Sequence, residues 1–126
     1  MLKDCVRNDS LLLRLALAEG ALPGLGADFA RHRTELADRF AAAHRRGDRL
    51  HLREEARFAL EIERDPARAL VLARENWSVQ RESADLSILA ATATAAHDTQ
   101  TLREIGEWRQ RNRLEDEPLA TLLADR

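Results

Sequence analysis

A chain of 126 residues bounds a single domain with one small core. Apolar residues make up 44% and aromatics only 4%, and Ala and Leu dominate the apolar part; this excludes a sheet protein, whose pleated surfaces are filled by β-branched and aromatic side chains. A net charge of −2, with both signs mixed along the chain, excludes a basic field that would draw nucleic acid.

The predicted elements are all helices. Asn8, Asp9 and Ser10 are N-cap types and predict a helix over 10–19, ended by Gly20. Pro23, Gly24 and Gly26 mark a turn. A long helix is predicted over 27–46, where Phe29, Leu36 and Phe40 share one face and Gly47 stands at the C-terminal cap. The third helix, 50–63, carries the stripe Leu52, Ala56, Ala59 and Ile62, widened by Phe58 and Leu60. Asp65-Pro66 is a stop and a restart, because Asp caps and Pro suits the first turn. A fourth helix follows over 66–80 with Ala69, Leu70, Ala73 and Trp77 on one side. Ser83 is read as the cap of a fifth, 84–96, with Leu86, Leu89, Ala90 and Ala93 inward. Asp98 or Thr99 opens a sixth, to about 112, and Pro118 a short seventh with Leu119, Leu122 and Leu123.

Targeting signals are weak. Residues 11–18 (LLLRLALA) are too short to span a bilayer and are interrupted by Arg14, so no membrane partner is expected. The lone Cys5 forms no internal disulfide and fits a reducing cytoplasm. All basic residues except Lys3 are Arg, a bias that fits a GC-rich, bacterial genome.

The helices pair, and the pairs repeat. Asp65 and Asp98 each follow the first helix of a pair, and Ala69 and Leu102 take the matching inward position one turn later. Residues 49–82 and 83–116 are then two units, with 9–48 a divergent earlier pair and 117–126 a capping helix. Ala56 and Ala90 fit the small position of a first helix, Ala69 and Ala73 those of a second, and His97-Asp98 the turn between them. In these residues and in its period the chain resembles the tetratricopeptide repeat family. The repeats are degenerate: the Trp, Gly and Tyr of the first-helix signature are absent, and the first unit needs one extra residue in its turn. The period also fits other αα-hairpin solenoids. The resemblance implies an all-α fold, antiparallel helix hairpins stacked into a short right-handed α-solenoid, and a groove lined by first helices that binds a peptide or protein segment.

On helix 50–63, Arg53 and Arg57 are one turn apart and together suit a carboxylate. The plainer reading is a solvated face, with Glu54 and Glu61 neutralising Arg57. Ser87, Ala91 and Thr94 give the fifth helix a face of small residues that suits a groove floor, or else tight packing within the stack. Helix 10–19 is apolar nearly all round and should be buried; Leu11, Leu12 and Leu15 are therefore candidates for self-association, with missing repeats or helix 27–46 as other covers. Trp77 and Trp108 stand at near-equivalent places on second helices, as core wedges or partner anchors. No two of His32, His44, His51 and His97 have helical ligand spacing, although His44 and His51 flank the Gly47 turn, so no metal is expected. Arg46-Gly47-Asp48 is read as a cap-to-cap turn rather than an adhesion triplet. No Ser–His–Asp set, Cys–His pair or phosphate loop can be picked out, so neither an enzyme nor a cofactor is expected. The sequence thus points to a protein-binding module, with a self-associating or structural fragment of a larger repeat protein, such as a homodimer, as the alternative.

Overall fold

The computed structural model describes residues 2–112, with side chains from residue 8 onward. The capping helix expected at 117–126 lies outside the described residues. Six α-helices and no strand occur among them: α1 (Leu2–Ala21), α2 (Gly26–Arg45), α3 (Leu52–Glu61), α4 (Pro66–Val79), α5 (Ser83–Ala95) and α6 (Thr99–Asn112). Each of the pairs α1–α2, α3–α4 and α5–α6 packs together, α4 packs on α5, and α3 also touches α1 and α5. Short connections of this kind turn each helix back along its neighbour.

Two apolar clusters meet on α3. Leu52, Ala56 and Ala59 pack with Ala69 and Ala73 of α4, Leu86 and Ala90 of α5, and Leu102 and Ile105 of α6. On its other side, Phe58, with Ile62 at the helix's C-cap, packs with Leu13 and Ala16 of α1 and Leu36 and Phe40 of α2. Alanine at so many contact positions lets the helices approach closely, which puts polar side chains at the seams within reach of each other.

The turns are built as the sequence suggests. Gly47 has φ +72; its N–H donates to His44 O at 3.0 Å, and Asp48 N–H donates to Ala43 O at 3.0 Å. This pair of bonds closes the end of α2 and needs a left-handed residue at Gly47. Asp48 then accepts from Leu50 N–H, so Arg46-Gly47-Asp48 is a helix-ending turn. The same closure recurs after α5, where His97 N–H donates to Thr94 O and Asp98 N–H to Ala93 O. Here the left-handed position, φ 57, is filled by His97 rather than glycine. After α3 the turn is one residue wider: Asp65 N–H reaches Ala59 O, with Arg64 left-handed. Asp65 and Asp98 then cap α4 and α6 through the N–H groups of Arg68 and Thr101.

Two boundaries differ from expectation. Asn8, Asp9 and Ser10 cap nothing; they lie inside α1, which begins eight residues earlier than predicted. Asp9 instead pairs with Arg39 of α2 at 3.1 Å, and the Ser10 hydroxyl donates to Glu54 of α3. Gly20 is also helical. A Cβ there would stand 3.0 Å from the Phe29 ring, so this glycine serves close packing of α1 against α2. Ser83 lies within α5; the cap is Glu82, whose N–H donates to Asp85 Oδ2 at 3.0 Å.

Candidate functional site

A cavity of about 440 Å³ opens between α1, α3 and α5, the first helix of each pair. Ser10 and Leu13 come from α1, Arg53, Glu54, Arg57 and Glu61 from α3, and Ala84, Ser87, Ile88 and Ala91 from α5. Of the five groove residues expected from sequence, Arg53, Arg57, Ser87 and Ala91 meet here. Thr94 does not line the cavity; it is exposed further along α5, its hydroxyl donating to Ala90 O. The small α5 side chains leave the space, and the α3 arginines rim it.

Both arginines have partners. Arg57 donates to Glu61 at 3.1 Å across an exposed turn of α3. Arg53 lies 3.7 Å from Glu54 and donates to Asp85 at 3.2 Å. Glu54 thus serves Arg53 and Ser10, not Arg57 as its spacing suggested. Asp85 is fully buried and also accepts from Asn76 Nδ2 at 2.8 Å. This carboxylate joins α3, α4 and α5 beneath the cavity. Sequence reasoning passed over it because Arg53, Asn76 and Asp85 share no local motif.

The apolar helix α1 is covered on one side only. Leu13 and Ala16 are buried by α2 and α3, and Leu12 packs against the same cluster. Leu11 and Leu15 remain 52% and 47% exposed, and Leu22 56%. Leu12 therefore belongs to the chain's own packing, and Leu11 and Leu15 to its open face. The expectation that α1 is buried all round is met on its inner face alone, because α2 and α3 approach from one side.

Trp77 and Trp108 are half-buried and meet edge to face, centroids 5.0 Å apart, with Arg81 over the Trp77 ring. They wedge α4 against α6 at the margin of the core and border a second cavity of about 320 Å³ with Arg74 and Arg111.

A third cluster joins α2 to α3. His44, in the last turn of α2, and His51, just before α3, both place Nε2 on Glu55 Oε1, at 2.7 and 2.9 Å. Burial by itself pushes the Glu55 carboxyl up; bonds from His51 and His44 and their charges pull it down and prevail, leaving it below the ordinary glutamate range. The expectation of no metal rested on spacing among histidines. It missed that the Gly47 turn folds His44 back over His51, and that His51 and Glu55 are themselves one helical turn apart. On α1, Glu19 is buried and held by His32 at 2.6 Å.

No helix among the described residues is long and apolar enough to cross a membrane. No family model, curated protein or solved structure matches the chain.

Proposed function

We propose that the chain is a protein–protein interaction module that holds a polypeptide segment in the cavity between α1, α3 and α5. What supports this reading is the cavity's composition: a floor of small α5 side chains, Ser87 and Ala91, beside a rim of two arginines. Small floor residues admit a ligand backbone, and the arginines offer forked donors to a carboxylate. The Arg57–Glu61 pair is exposed and worth about 0–1 kcal/mol, so a ligand carboxylate exchanges for Glu61 at little cost. In the tetratricopeptide-like reading, the recurring Asp65 and Asp98 turns set the repeat, and α1, α3 and α5 are its inner, ligand-facing helices. The module binds and does not catalyse, works in a reducing cytoplasm, and takes no cofactor for this role.

A library of displayed peptides selected on the intact chain tests the proposal. Enriched peptides should bind the wild type and lose at least about tenfold in affinity on Ala91→Arg, which fills the cavity. That loss corresponds to about 1.4 kcal/mol. Binding indifferent to Ala91→Arg, or no enrichment, would refute the assignment. A second reading, self-association, is favoured by the open apolar face of Leu11 and Leu15 on α1, with exposed Leu22 just past its end; in it the occupant of α1 is a second copy and the cavity holds no foreign ligand.

A further inference from the structure

We infer that His44, His51 and Glu55 form a binding site for a single divalent transition-metal ion of the zinc class. The three ligand atoms already converge. His44 Nε2 and His51 Nε2 lie 3.4 Å apart, and each is within 3 Å of Glu55 Oε1. Two atoms bound to zinc at about 2.0–2.1 Å and set at the tetrahedral angle lie roughly 3.3 Å apart. The two nitrogens have that separation. Oε1 must withdraw by about half an ångström, as it does when a cation replaces a hydrogen bond.

The surroundings fix each ligand. His51 is 2% exposed and stacks on Phe40, while His44 meets it edge-on, centroids 4.7 Å apart. Glu55 is buried and its other oxygen, Oε2, is engaged by Arg68, which leaves Oε1 for the histidines. Glu63 also pairs with Arg68, so the guanidinium charge opposing a metal is balanced. Without metal, both Nε2 atoms must carry protons to donate to one oxygen, and two N–H groups then crowd each other. One dication takes all three lone pairs, and each ring proton moves from Nε2 to Nδ1.

The donor set chooses the ion. Two imidazoles and one carboxylate suit zinc, nickel or copper, whereas calcium and magnesium require oxygen. Three protein ligands leave a fourth position, next to a cavity of about 340 Å³ that His44, Glu55 and Arg68 help to line. In three-ligand zinc sites a water takes that position. One feature weakens it: His51 Nδ1 is buried without a hydrogen-bond partner, and metallation at Nε2 puts the ring proton there. A missing outer partner costs roughly 10–100-fold in affinity relative to a site that has one.

Zinc chloride titrated calorimetrically into the full chain tests this. One equivalent should bind, and His44→Ala should weaken it at least about tenfold while His97→Ala and Cys5→Ser leave it unchanged. The melting temperature should rise by roughly 10 °C at a hundredfold excess over Kd. Should His44→Ala fail to fold, imidazole NMR of the wild type decides: zinc must shift the His44 and His51 Nε2 resonances and leave His32 and His97 in place. No binding below about 1 mM zinc, or binding that His44→Ala spares or that His97→Ala or Cys5→Ser removes, would overturn the assignment.

Discussion

Replacing Asp85 by alanine removes the buried carboxylate that ties three helices together. Its Oδ1 accepts from Asn76 at 2.8 Å and from Arg53 at 3.2 Å, and its Oδ2 from the Glu82 backbone at 3.0 Å. The Asn76 amide, fully buried, loses its partner, at about 1–3 kcal/mol. Arg53 is a third exposed and keeps Glu54 nearby, so it resolvates and adds only about 0–1 kcal/mol. Loss of the bond to the Glu82 N–H adds about 1 kcal/mol. The expected total is about 2–5 kcal/mol, overlapping the cost of breaking a buried charged pair, out of a total stability of about 5–15 kcal/mol. Urea unfolding followed by Trp77 and Trp108 fluorescence measures it. Arg53→Ala leaves the buried carboxylate without its counter-charge, though still bonded to Asn76 and the Glu82 N–H, and should cost about 2–3 kcal/mol; a cycle pairing Asp85→Ala with Asn76→Ala should give a coupling above about 1 kcal/mol. A cost for Asp85→Ala under about 1 kcal/mol, or no coupling to Asn76, would show that this carboxylate does not hold the seam.

His97→Gly relieves a left-handed residue at the end of α5 and should stabilise by about 0.5–1 kcal/mol in thermal or urea melts. Asp98 is held below the ordinary aspartate range by the backbone N–H and hydroxyl of Thr101. Its folded value is the lower one, so its stabilisation is full above the unfolded value and is lost as pH falls through the folded value. The difference in melting temperature between wild type and Asp98→Ala, worth about 1 kcal/mol at neutral pH, should therefore shrink below about pH 4. Leu11→Glu with Leu15→Glu leaves the core intact and should shift stability by no more than about 0.5 kcal/mol; light scattering on the pair reads whether the open face of α1 joins copies.

Periodicity and turn chemistry carried most of the helix map, because they act locally. Gly47, Asp65 and Asp98 each do the task their residue type suggests, and even the extra residue in the Asp65 turn is visible as the wider bond to Ala59. Local signals failed where tertiary contacts claimed the same residues. Asp9 and Ser10 look like caps but bind Arg39 and Glu54, and Gly20 looks like a stop but makes room for Phe29. Arg53 with Arg57 and Ser87 with Ala91 were each legible as one helix face, and the two faces border one cavity. The Asp85 hub and the His44–His51–Glu55 cluster required knowing which helix ends meet. The one readable trace of the cluster was His51 four residues before Glu55, beside a histidine just ahead of a glycine turn.

A photo-reactive side chain at Ser87, in cells producing the chain, tests the interaction role most directly, with the same probe at exposed Val71 as control. A discrete polypeptide adduct is expected at Ser87, absent at Val71 and lost on Ala91→Arg. Equal labelling at both positions, no adduct at Ser87, or an adduct of twice the chain's 14.2 kDa mass would contradict it, the last in favour of a second copy as the occupant.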